Sequence, residues 1–354
     1  MKNFKFSAIL ILIYIAIINI PTSWADVYHT EIYPLIDAFL SAIFGWSSFS
    51  IGDILYGILV IFCLYKLIFY FSKKQWQNML IFTLQTSFSL LIAFQLLWGI
   101  NNFKTPLDQQ LQLKKGYTYE QLIDFTLKKI ENINSLYDQI PTKNDFIGVK
   151  IEEDYDLFYD ETLKNLEKVD FINHKSIAQL KKAKPSMYSY FQTKMGFSGY
   201  FNPFTHENQI NYKIPHTSKP TTYTHELIHQ LGYSSEAETN FITYCALYQS
   251  DNMKIRYAAE LFVVKYALNE IYRIDDEKFI ELSIELREGV MDNFYESVMF
   301  WKKNKNFSSP IAKKIYGWFL KSNNQKEGIR SYNKVIDLLI NYESISSDSL
   351  RFKG

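Results

Sequence analysis

The chain has 354 residues, and its 38 Lys+Arg stand against 37 Asp+Glu. No basic field or basic arm therefore marks it for a nucleic acid, and no nucleic-acid partner is expected. Two cysteines far apart, Cys63 and Cys245, do not make a disulfide framework.

Apolar residues crowd the N-terminal part. A helix crossing a bilayer core needs roughly 20 mostly apolar residues, and three runs meet or approach that: residues 4–22, 54–71 and 79–100. Lys66 lies near the end of the second run, where it can snorkel to the surface. The first run follows Lys2 and Lys5 and precedes "TSWA", the outline of a cleavable signal peptide. Its length, and Trp24 at the would-be cleavage site, favour a retained helix. Lysines 2, 5, 73 and 74 flank the runs on one side, whereas the 23–53 loop carries acids and no Lys or Arg. By the positive-inside rule this predicts a multi-pass membrane protein with its N-terminus and the 73–77 loop in the cytoplasm. Its C-terminal part would then be extracytoplasmic. Residues 31–48 place apolar side chains at helical spacing and predict an amphipathic helix on the outer surface. The expected division is a membrane domain, 1–103, and a soluble domain, 104–354.

The soluble part is mostly helical in pattern. In "YTYEQLIDFTLKKIENINSLYDQI" the residues Leu122, Ile123, Phe125, Leu127, Ile130, Ile133 and Leu136 form an apolar stripe. "DYDLFYDETLKNLEKVDF" adds a helix, "HKSIAQLKKAKPSMYSYFQTKMG" one broken near Pro185, and nearly everything from 253 onward is helical. Residues 199–223 differ, being rich in turn formers. Within them Gln209, Ile210, Asn211, Tyr212, Lys213 and Ile214 alternate polar and apolar, which is strand period. The expected fold is mainly α, with transmembrane helices and a short strand or hairpin before the helix of "HELIH". Pro220 precedes that helix, with Thr221 or Thr222 as its N-cap.

His225 and His229 are one helical turn apart on one face, so both imidazoles can reach one ion. Glu226 lies beside the first histidine, completing HExxH: two zinc ligands and a general base. Gly232 ends the helix, and a second begins near Ser234 or Ser235, folding back toward the histidines. Catalytic zinc takes three protein ligands as a rule, and the third is Glu236 or Glu238. Glu236 is favoured, because Asn240 shares its face and could orient a ligand histidine. Further oxyanion donors could be Tyr332, Arg330 or His206.

"HELIHQLG" with "EAETNF", "WGINNF", "GYFNPFT" and "GIRSYNKVIDLL" resembles an uncharacterised bacterial membrane family of unknown function, DUF3810, over nearly the whole chain. More remotely, HExxH with Glu-x-x-x-Asn is similar to zinc peptidases of the gluzincin type. That resemblance implies a zincin-like domain with one zinc ion per chain on His225, His229 and Glu236. It also implies Glu226 as base, Asn240 in support, and 209–214 as an edge strand that holds an extended peptide. Thr239 stands where the family pattern has Ala, and the link between the histidines and the glutamate is shorter than in most gluzincins. The expected function is a membrane-anchored zinc metallopeptidase acting on a peptide or protein, with the lipid bilayer as its other partner. The alternative is a non-catalytic membrane scaffold or sensor that keeps the same fold.

Overall fold

The computed structural model describes residues 2–141, 147–304, 306, 308–323 and 332–349. Helix dominates. The N-terminal part comprises α1 (Lys2–Ile18), α2 (Thr22–Val27), a π-helical turn at Tyr28–Ile32, α3 (Tyr33–Phe44), α4 (Ile51–Ser72) and α5 (Trp76–Leu97), then a 3-10 turn at Gly99–Phe103. Two of these helices are long and apolar enough to cross a membrane, α4 and α5, with mean hydropathy 2.2 and 1.8. The run expected to span at 4–22 stops at Ile18, and the chain then bends by 89° into the helical stretch Thr22–Phe44.

α3 inverts the usual amphipathic logic. Tyr33, Asp37 and Ser41, on one face, are buried, while Leu35 is 71% and Phe39 65% exposed on the other. The polar face is turned inward because it finds partners there: Asp37 Oδ1 lies 2.9 Å from His206 Nδ1 and accepts from Gln230 Nε2 at 3.0 Å. The apolar face is left for a non-aqueous surrounding.

The rest of the chain is α6 (Leu107–Gln110), α7 (Tyr119–Gln139), α8 (Tyr155–Leu166), α9 (His174–Ile177), β1 (Lys184–Pro185), α10 (Ser189–Met195), β2 (Gly199–Asn202) and β3 (Glu207–Ile210). Then follow α11 (Lys219–Gln230), α12 (Glu236–Leu247), α13 (Met253–Ile274), α14 (Asp276–Ile284), α15 (Glu288–Asn304), α16 (Ser308–Ser322) and α17 (Tyr332–Ser349). α7 starts with a capping box in which Thr118 and Gln121 exchange hydrogen bonds. Its inner face carries Leu122, Phe125, Ile130 and Ile133, whereas Leu127 of the expected stripe is 42% exposed. One core joins α7, α8, α11, α12, α13 and α17. Leu227, Ile228, Ala237, Phe241 and Ile242 are wholly inside it, and each larger side chain contributes about 1.5–3 kcal/mol by burial.

The strands form one sheet in the order β1-β3-β2, with β1 parallel and β2 antiparallel to β3. This corrects the expected edge strand. β3 ends at Ile210 and is the inner strand, so Asn211, Tyr212, Lys213 and Ile214 lie outside it and the exposed edge belongs to β2. The alternation at 209–214 misled because Asn211 is buried by hydrogen bonds to Thr193 and Phe197, while Tyr212 turns out to solvent.

The sheet also grips the first of the two long apolar helices, α4. Glu207, on β3, accepts from the backbone N–H groups of Ile51 (3.1 Å) and Gly52 (2.6 Å), the orphan donors of the first turn of α4. Lys184 neutralises that buried carboxylate at 2.6 Å. Asp53 in turn accepts from Ser186 Oγ (3.0 Å) and Met187 N (2.7 Å), and from the hydroxyl of Tyr200.

Candidate metal centre

α11 begins earlier than Thr221 or Thr222 would have it. Ser218 is its N-cap and Pro220 sits inside the first turn, where a missing N–H costs nothing. Its end is a Schellman turn: Tyr233 N donates to Ile228 O, Gly232 N donates to His229 O (3.0 Å), and Gly232 has φ +84°. A side chain at Gly232 would also meet His29, Tyr33 and Asn101 within about 3.1 Å. Ser235 then caps α12, and α12 lies back along α11.

That turn brings His225, His229 and Glu236 together, with one ligand atom from each inside 4.8 Å of the others. His225 Nε2 is 3.4 Å and His229 Nε2 3.7 Å from the Glu236 carboxylate oxygens. The two rings are perpendicular, with centroids 4.6 Å apart. Each Nδ1 faces an acceptor: Asn240 Oδ1 for His225 (2.8 Å) and the Tyr233 carbonyl for His229 (2.7 Å). Each Nδ1 therefore carries a proton, and each Nε2 lone pair points at Glu236. Asn240 is held in turn by its own bond to the Tyr266 hydroxyl, 3.1 Å.

Zinc fits this donor set. Tetrahedral zinc with ligands at about 2.0–2.1 Å sets its donors roughly 3.4 Å apart, close to the spacing found. Glu226 sits beside the cluster, buried, with Oε2 lacking any hydrogen-bond partner. An orphaned buried carboxylate oxygen is costly unless something else occupies the adjoining space. Gly199 makes room for it, since a Cβ there would stand 2.7 Å from Glu226 Oε1.

The electrostatics follow from crowding. Burial pushes the Glu226 carboxyl up to about 8, Glu236 adding and His225 opposing. Burial would also raise Glu236, but the bond and charge of His225, the charge of His229 and the Tyr316 hydroxyl outweigh it and hold it at about 2. Burial and the neighbouring His225 lower His229 to about 4. His225 feels the same burial, overcome by Glu236, so its value is raised.

The other expected residues fall elsewhere. Glu238 accepts from Leu107 N at 2.8 Å and pins the start of α6. His206 is buried against Asp37 and the Leu97 carbonyl (3.3 Å), on the far side of Phe201, and is no oxyanion donor to this centre. Arg330 lies outside the described residues, as does the side chain of Tyr332 at the start of α17. None of residues 209–214 lines the cavity around the cluster. Gln209 meets Ser50 Oγ at 2.8 Å and Ile210 is in the core.

Three participants have no signal in the motif. Tyr316, on α16, donates to Glu236 Oε1. Tyr266, on α13, holds Asn240. Trp98, just past α5, donates from Nε1 to the His229 carbonyl at 2.9 Å. The cluster opens into a cavity of about 970 Å³.

The chain is thus a mainly helical protein with two helices fit to cross a membrane and a largely buried His–His–Glu cluster near the end of α5. Residues 28–340 match the family described as "Protein of unknown function (DUF3810)", and the chain belongs to that family. No curated protein and no solved structure matches it.

Proposed function

We propose that the protein is a membrane-anchored zinc metallopeptidase. The observation that carries this reading is the convergence of His225 Nε2, His229 Nε2 and the Glu236 carboxylate beside a buried, partner-free Glu226 oxygen. A zinc ion on those three ligands would supply a Lewis acid that acidifies water and polarises an amide carbonyl. Asn240 and the Tyr233 carbonyl fix both imidazoles with Nε2 toward the ion. Glu226 Oε2 takes the proton from the attacking water and delivers it to the leaving amine. Burial raises that carboxyl, and a zinc ion beside it would favour the ionised form a base needs. Tyr316, bonded to Glu236 and lining the same cavity, offers a hydroxyl to a developing oxyanion.

An extended peptide would lie along β2, the edge strand, whose Gly199, Tyr200 and Phe201 border the cavity. The lysine pattern supports a bacterial cytoplasmic-membrane protein with residues 104–354 outside the cytoplasm. A scaffold or sensor with a structural metal would have no need of Glu226, and a buried carboxylate kept without a partner argues for work.

The test is zinc content and peptide hydrolysis by the full chain in detergent, wild type beside Glu226→Gln. One zinc per chain in both, with hydrolysis only in the wild type, is expected. A folded wild-type protein without zinc sinks the reading.

A further inference from the structure

The cavity at the metal centre is not walled by the soluble part alone. Leu59, on α4, and Leu90, Leu91 and Phe94, on α5, line the same cavity as His225 and Glu226. α4 starts at Ile51 and α5 ends at Leu97, and both starting and ending turns are fastened to the sheet and to His229. At 1.5 Å per residue, Leu59 and Leu90 lie about 10–12 Å down their helices from those ends. With α4 and α5 crossing a bilayer, that would be the depth of acyl chains, and the part of the cavity these residues line would form an arm open toward lipid.

The chemistry of that wall limits its occupant. A peptide there would turn N–H and C=O groups to leucines and a phenylalanine, where each unmade hydrogen bond costs several kcal/mol. A saturated hydrocarbon chain has no such groups, and exchanges lipid tails for equally apolar side chains at little cost.

We propose that the substrate is a lipid-anchored peptide. Its fatty-acyl chain would lie against Leu59, Leu90 and Leu91 while the attached peptide passes along β2 to Glu226. The proposal rests on the peptidase reading and gives that site its substrate class. The reaction stays a hydrolysis: water adds across one amide, giving a carboxylic acid and an amine, and the acyl anchor remains on one fragment.

The experiment uses the full chain in nanodiscs, as the Glu226→Gln variant, with a palmitoylated peptide bearing a diazirine on its acyl chain. Cross-links mapped by mass spectrometry should concentrate at Leu59, Leu90 and Leu91 over the lipid-exposed Ile58 and Ile61 of α4. Unlabelled palmitoylated peptide should displace them, and Leu91→Trp should reduce them about tenfold at unchanged zinc content. Labelling spread evenly over the lipid-facing residues overturns the proposal. So does equal labelling by a diazirine phospholipid that the acylated peptide does not displace, which would make the arm a seat for bilayer lipid. In the wild type, turnover of the same peptide without its palmitoyl group at the same rate also overturns it, while leaving the peptidase reading standing. Labelling in the arm with no peptide ever cleaved leaves acyl binding standing and removes the peptidase reading.

Discussion

Trp98 Nε1 donates to the carbonyl oxygen of His229 across 2.9 Å. The indole follows α5, one of the two helices fit to cross a membrane, and the carbonyl belongs to a candidate zinc ligand in the last turn of α11. Tyr33 does the same for the next carbonyl, Gln230, at 2.7 Å. The end of the HExxH helix is therefore completed by groups from the N-terminal part. Replacing Trp98 by Phe removes one buried hydrogen bond, about 0.5–1.5 kcal/mol. A lower Tm of the full chain and faster zinc loss to a chelator are expected, and an unchanged chelation rate would count against the coupling.

By the same reasoning, a fragment that starts at residue 104 lacks Trp98, Tyr33, Asp37 and the turn that Glu207 caps. Expressed alone, it should aggregate or melt well below the full chain. A fragment of equal stability, compared by thermal unfolding, would show that the two parts are separable after all.

Glu236 and Glu238 make a discriminating pair. Glu236→Ala should abolish zinc binding, because it removes one of three ligand atoms. Glu238→Ala should leave zinc content near wild type and instead lower stability by about 1–3 kcal/mol, since it orphans the buried Leu107 N–H. Metal analysis and denaturant unfolding on both variants separate the two roles, and the reverse pattern would exchange them.

Asn240→Leu keeps the volume and removes the acceptor of the His225 Nδ1 proton. Zinc affinity should fall about 10–100-fold, measured by competition with a chromophoric chelator. Wild-type affinity in this variant would mean that Asn240 only packs.

Glu226 gives a pH signature in the metal-free protein. Burial raises its carboxyl to about 8 from the ordinary 4.5. Below about 4.5 it is protonated in both folded and unfolded chains, and its favourable contribution is intact. As pH climbs from about 4.5 to 8 the unfolded chain ionises first, so stability drains away across that window. Glu226→Gln cannot ionise and should flatten this part of the stability–pH curve. Parallel curves for the two proteins, followed by urea unfolding, would contradict the raised value. In activity, the same substitution should lower kcat about 10²–10⁴-fold with zinc retained.

The sequence by itself determined the local features. Two long, mostly apolar stretches set α4 and α5, each of 22 residues, because a helix satisfies its own backbone hydrogen bonds whatever surrounds it. His225, Glu226 and His229 were legible because a helical turn is a fixed distance, and Gly232 because its backbone needs a left-handed φ. What tertiary structure alone decided were contacts between segments far apart in the chain. Glu236 and Glu238 are both acids in the first turn of one helix, and only the packing of α12 on α11 sends one to the histidines and the other to Leu107. The alternation at 209–214 said nothing about which strand would be inner, because sheet order depends on β1 and β2. Tyr316, Tyr266 and Trp98 reach the centre from three distant helices, and no spacing rule links them to HELIH. Sequence periodicity reports a residue's own element, whereas the neighbours that tune a site are set by how whole elements pack.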